Sequence, residues 1–137
     1  MTTAQRRLVM ALAGLAIIEF LHGLDSLRTY EDATVVGVLA DPVGLAGIGG
    51  ALVAVTAVVR GWASAQTLAV LAGSLVSIGF LIVHGLWFEA SFTNPYWGDG
   101  SADALQWAGV FAVWGFGIAS VVLARELEPA TAARAAA

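Results

Sequence analysis

The chain has 137 residues, 59% of them hydrophobic and only 12% charged, with a formal net charge of −4. A water-soluble domain of this size carries about 25% charged residues to cover its exterior, so the composition excludes a soluble globular protein and implies a surface that faces lipid. Cysteine is absent, which removes disulfides, thiolate metal sites, iron–sulfur clusters and cysteine nucleophiles, and the acidic balance leaves no basic face for nucleic acid.

Arg6 and Arg7 precede the first apolar run, at about 8–27. A secretory signal has the same beginning, but Glu19 and His22 interrupt this run and no small-residue cleavage site follows, so it reads as a retained helix. The connection 28–41 holds a short apolar stretch, Val35 to Leu39, too short to span and expected on the outer membrane surface. A second span is predicted at 42–59, where Pro42 suits a first helical turn because its missing N–H is an orphan there anyway. The third is predicted at 67–88. Residues 89–103 follow with two turn signals, Asn94-Pro95 and Gly98-Asp99-Gly100. The fourth is predicted at 104–124, capped by Ser101 or Asp103, and an Ala-rich tail at 129–137 is expected to fray.

Runs of about 17–25 apolar residues cross a ~30 Å hydrocarbon layer as helices. Period-two alternation is missing, which argues against a barrel and leaves helices to satisfy the backbone in lipid. The predicted fold is therefore an all-α integral membrane protein, an up-down four-helix transmembrane bundle in one domain, 1–128. Arg6, Arg7, Arg60, Arg125 and Arg134 fall on one side and Arg28 alone on the other. The positive-inside rule then puts both termini in the cytoplasm. Trp62 marks the inner boundary, and Trp87, Tyr96, Trp97 and Trp107 the outer one, as interfacial aromatics do. Arginine-only basic residues in an Ala/Gly/Val/Leu-rich chain fit a bacterial cytoplasmic membrane.

Shifted by 62 residues, the sequence matches itself at His22/His84, Gly23/Gly85, Leu24/Leu86, Ala40/Ala102, Asp41/Asp103, Ala46/Ala108, Gly47/Gly109, Ala57/Ala119 and Val59/Val121. Two duplicated helical hairpins, both starting in the cytoplasm, would give a parallel repeat about an axis along the membrane normal. Glycines at 44, 47, 49 and 50, and at 109, 115 and 117, offer small faces for close helix packing or homo-oligomerisation.

Glu19 lies about 16 Å into its span at 1.5 Å per residue, near the midplane, where an ionised carboxylate costs on the order of 3 kcal/mol. It must be neutralised, paired or turned to an internal cavity. His22 at i+3 and Asp25 at i+6 share its face, and Glu-x-x-His is an inward ligand pair in some bundle cores. His22 and His84 fall at similar depth on helices expected to be diagonal across the bundle. Facing imidazoles there would ligate a haem b iron axially or, with Glu19, hold a divalent metal. Asp25 is expected to pair with Arg28, Glu89 to be interfacial, and both to border the site with Trp87. Ser74 and Ser77 are expected to bond back to their own helix.

The stretch from Gly44 to His84, with Gly49-Gly50, Arg60 at the turn and His84 closing the third helix, resembles the DoxX-like family of four-helix bacterial membrane proteins. Where that family commonly carries an acidic residue before the Gly pair, this chain has Ala46 to Ile48. The resemblance implies a membrane subunit linked to quinone or sulfur redox chemistry beside a soluble oxidoreductase.

Three functional expectations stay open at this point. The first is a redox-associated subunit binding haem or quinone near the outer leaflet through His22, His84 and Glu19, with a redox partner or larger membrane complex. The second is a proton- or metal-coupled small transporter or channel using Glu19. The third is a structural or assembly subunit. A self-sufficient enzyme is not expected, because no nucleophile–base constellation can be assembled.

Overall fold

The computed structural model describes residues 1–31, 33–85, 96 and 102–127. All regular structure among them is helical, in five helices: α1 (Thr3–Thr29), α2 (Val35–Leu39), α3 (Pro42–Arg60), α4 (Ala65–Phe80) and α5 (Ala104–Ala124), with a π-helical turn, Leu81–Gly85, continuing α4. Four are long and apolar enough to cross a membrane: α1, α3, α4 with its π turn, and α5. The chain is a small multi-pass integral membrane protein.

Local chemistry explains the helix ends. α1 starts ahead of the apolar run because Thr2 and Gln5 form a capping box, Gln5 N–H donating to Thr2 Oγ1 (3.2 Å) and Thr2 N–H to Gln5 Oε1 (2.7 Å). Asp41 caps α3, accepting from Val43 and Gly44 N–H, with Pro42 in the first turn. α3 stops at Gly61, whose left-handed φ of 66° lets Trp62 N–H reach back to the Ala57 carbonyl at 2.9 Å. Asp103, rather than Ser101, caps α5 and forms a second capping box with Gln106. α2 covers the apolar stretch 35–39 and leaves Val35, Val36 and Leu39 exposed; Val38 packs over Gly23 of α1.

The four long helices form a closed ring in which α1 packs on α3 and α5, and α4 packs on α3 and α5, while α1 and α4 scarcely touch across the diagonal. The interior holds small or slender side chains. One cluster joins Leu8 and Leu12 to Ala54, Ala57, Ala69 and Ala124; another joins Leu15 and Ala16 to Ala51, Val76 and Val113. The bulky side chains Ile17, Leu52, Leu75, Phe111 and Ile118 point outward. This inverts a soluble core. In lipid the exterior gains from apolar bulk, and close backbone approach holds the helices together.

Arg28 ties the end of α1 to the start of α5. Its Nε donates to Asp25 Oδ1 at 2.7 Å, and its Nη1 lies 2.7 Å from Asp103 Oδ2. The Asp103 carboxyl is held below its ordinary value of 3.8, first by the capping N–H of Gln106 and then by the Arg28 guanidinium. A depressed carboxyl stabilises the fold above its unfolded-state value and loses that contribution as pH falls through the folded one. In Arg28→Ala the Asp103 titration, followed by NMR, should therefore move upward only part of the way, because the capping bonds remain. A complete return to 3.8 would mean that the cap contributes nothing.

Candidate functional site

The two histidines meet. His22 Nε2 of α1 lies 3.3 Å from His84 Nε2 of the π turn, with the imidazole rings at 74° and their centroids 5.1 Å apart. The separation in sequence, 62 residues, is the repeat offset itself. Under two-fold symmetry a residue that touches its own counterpart lies on the axis, so this contact is where a pseudo-dyad relating two duplicated hairpins would pass. The remaining geometry agrees in part, since the α3–α4 pairing is looser than its counterpart α5–α1. Counterparts Asp41 and Asp103 cap counterpart helices α3 and α5, and the α1–α3 pairing recurs as α4–α5.

The π turn aims His84. Eight residues separate it from buried Val76, and in a continuous α-helix that step overshoots the buried face by about 80°. The i→i+5 turn takes more residues per revolution and brings the imidazole back inward, where His84 is 8% exposed. Hydropathy alone carries no sign of this turn.

Two counterpart glycines seat the polar groups of α1. A Cβ at Gly109 of α5 would stand 3.1 Å from His22 Nδ1, and one at Gly47 of α3 would collide with the Glu19 carboxylate. Glu19 is 7% exposed, and its Oε2 has no hydrogen-bond partner among the described residues. The symmetry breaks here, because the counterpart of Glu19 is Leu81. The acid is thus a property of one half.

Two further residues were not singled out as site residues in the sequence. Tyr96, read as an interfacial aromatic, is buried with its ring centroid 4.4 Å from that of His84, and its N–H donates to the His84 carbonyl at 3.3 Å. Burial pushes the Tyr96 phenol above its ordinary value, so it stays a donor, and its side chain bonds that of Gln106. Gln106 is buried too, carried to this spot by the capping box that begins α5. Its place three residues after Asp103 is the signal that could have found it.

These groups share a cavity of about 860 Å³ between α1, α3 and α4, with Glu19, His22, His84, Tyr96, Gln106 and Asp41 among its lining and an otherwise largely apolar wall. Asp25 also borders it but is paired to Arg28. Ser77 does not bond back to its own helix as expected; its Oγ has no hydrogen-bond partner among the described residues and points at Gly117 of α5. Trp87 and Glu89, expected at the border of the site, lie outside the described residues, as do residues 128–137.

Axial ligation of a haem iron by this pair would require the two imidazoles to part from the positions they hold here. Two imidazole–metal bonds of about 2 Å on opposite sides of an iron place the nitrogens about 4 Å apart, with a macrocycle between them. Here the nitrogens are 3.3 Å apart, and the Phe80 and Tyr96 rings pack against the pair. Glu19 does not complete a metal site with them: among the described residues no group of three or more His, Cys, Asp or Glu could hold a metal ion.

What the arrangement offers is a buried, partnerless acceptor on Glu19, an imidazole pair that donates or accepts according to tautomer, and two donors on Tyr96 and Gln106, all at one end of an apolar chamber. Comparison with protein-family models, curated proteins and solved structures gives no match to this chain. The class is set by the fold alone, a four-span membrane protein with a polar-ended cavity inside the bundle.

Proposed function

We propose that the protein is a redox-associated membrane subunit that binds a quinone-type carrier, with the head group at Glu19 and the His22–His84 pair. The single observation that carries this reading is the convergence of a partnerless carboxylate oxygen on Glu19 with imidazole, phenol and amide groups at one end of an otherwise apolar cavity. A quinone head presents carbonyl acceptors, and its reduced form presents hydroxyl donors. A site serving both forms needs groups of both kinds. The imidazole pair, the Tyr96 phenol and Gln106 can donate to the carbonyls, and Glu19 Oε2 can accept from a hydroxyl. The volume supports the reading, since ligand pockets usually fall in the range of about 300–1,000 Å³.

The DoxX-like resemblance is in keeping with it. That family's acid before the Gly pair has no equivalent on the second helix here, yet Glu19 of α1 presents its carboxylate against Gly47 at the corresponding place.

The test is titration of the detergent-solubilised protein with a short-tailed quinone analogue, followed by quenching of tryptophan fluorescence; Trp107 lies 5.6 Å from the Tyr96 ring by centroid. Wild-type protein should bind saturably. Glu19→Gln and His84→Ala should each weaken binding by about tenfold or more, as expected for a lost hydrogen bond to a charged or buried group. Absence of saturable binding in wild type rejects the reading. If that result comes with proton flux into proteoliposomes that Glu19→Gln abolishes, proton-coupled transport replaces it.

A further inference from the structure

We infer that the apolar arm of the cavity, the cleft between α3 and α4, is a lateral port that takes the hydrocarbon tail of the ligand directly from the bilayer. The inference rests on the head-group reading and adds to it a ligand class, long-tailed and membrane-dissolved, and a route of entry.

The cavity does not end at the polar groups. It continues between α3 and α4 past Gly79, Leu75 and Leu71 to Leu68 near the start of α4, with Gly50 and Val53 opposite. From His84 to Leu68 is sixteen residues, about 24 Å of axial rise, most of a ~30 Å hydrocarbon layer. A compact polar ring would fill only the head of such a chamber. An extended chain matches its shape and its wall.

The cleft is open to the side. α3 and α4 pack less closely than the other three neighbouring pairs. Leu71 and Leu75 line the cavity and yet are 48% and 66% exposed, and Val53 is half exposed. Side chains that belong both to the cavity wall and to the outer surface mark an opening toward lipid. The small residues along the seam are not there for helix contact. A Cβ at Gly50 or Gly79 would meet no heavy atom within 4 Å, unlike Gly47, Gly73 or Gly117, where one collides. Glycine at 50 and 79 keeps the cleft wide. Glu19, more than nine-tenths buried with an unpartnered oxygen in the same cavity, supplies the polar terminus for an amphipathic occupant.

That open space makes the test clean, because in Gly79→Leu and Gly50→Leu the added Cβ meets no heavy atom within 4 Å and the rest of the side chain extends into the cleft, so the fold should survive. Three probes are compared on the full chain in detergent micelles: a long-tailed quinone, the same head without a tail, and the same tail on an uncharged head lacking carbonyls. Wild type should bind the long-tailed quinone at least about tenfold more tightly than the tail-less head, the difference expected from burying several methylene groups. Gly79→Leu should erase that advantage while leaving the tail-less head within about twofold of wild type. An unchanged preference for the long-tailed compound in both Gly→Leu variants overturns the inference and leaves the head-group reading in place. Equal wild-type affinity for tailed and tail-less heads does the same. Equal affinity for the two tailed probes, lost in Gly79→Leu, supports the cleft and removes the quinone head. No binding of any probe removes both.

Discussion

Gly73→Ala and Gly117→Ala should each destabilise the protein by about 1–3 kcal/mol, whereas Gly49→Ala and Gly115→Ala should leave it unchanged or stabilise it by up to about 1 kcal/mol. The contrast follows from where the helices touch. A Cβ on Gly73 of α4 would stand 2.5 Å from the Gly117 carbonyl oxygen, and one on Gly117 of α5 would meet Ser77 Oγ and, at 2.9 Å, the Gly73 carbonyl. Carbonyls fixed in a helix cannot step aside as a flexible side-chain tip can, so the helices themselves must part. Parting them sacrifices the dispersion contacts along the α4–α5 seam, which in lipid are most of what holds it. The gain of about 1 kcal/mol in helix propensity on replacing Gly by Ala offsets part of the loss at 73 and 117. Reversible unfolding in mixed detergent, followed by near-ultraviolet circular dichroism, reads the difference. Four variants of equal stability would mean that the seam is not in backbone contact.

The architecture was legible because its causes are local and repetitive. Four apolar runs separated by Asp, Pro and Gly specify four spans, and the predicted 42–59 and 104–124 coincide with α3 and α5 almost to the residue because Asp41 and Asp103 cap them. α1 starts earlier than the apolar run predicts, because Arg6 and Arg7 lie inside the helix and the Thr2–Gln5 capping box carries it back to Thr3. The site was legible in part. The repeat offset singled out His22 and His84 as a pair, and burial cost singled out Glu19. How these side chains are aimed was not legible. The π turn depends on a shift of backbone hydrogen bonding that no apolar count records, and the seating of Glu19 on Gly47 and of His22 on Gly109 depends on which helices are neighbours. The same glycine pattern therefore covers three roles that only packing separates: backbone contact at 73 and 117, a seat for a polar group at 47 and 109, and an open cleft at 50 and 79.

Glu19→Leu should make the protein more stable by about 2–3 kcal/mol and at the same time abolish head-group binding. Leucine is chosen because it is apolar and close to glutamate in size; it also stands at the repeat-offset position, Leu81, although that side chain faces outward. A carboxylate near the bilayer centre costs on the order of 3 kcal/mol on insertion scales, and an acceptor left without a partner adds its own desolvation cost. Glu19 Oε2 is such an acceptor among the described residues, so the folded protein bears this cost in the absence of ligand. Glu19→Gln should fall between the two, since it removes the charge but keeps polar atoms that still lack partners. Stability is read by denaturant midpoint in detergent micelles, and binding by the quinone titration on the same samples. The opposite signs of the two changes are what identify a group retained for a ligand: a residue kept for packing loses stability when replaced, and a residue kept for chemistry loses only the chemistry. If Glu19→Leu unfolds more easily than wild type, the carboxyl is holding α1 against α3 at Gly47, and its burial needs no ligand to explain it.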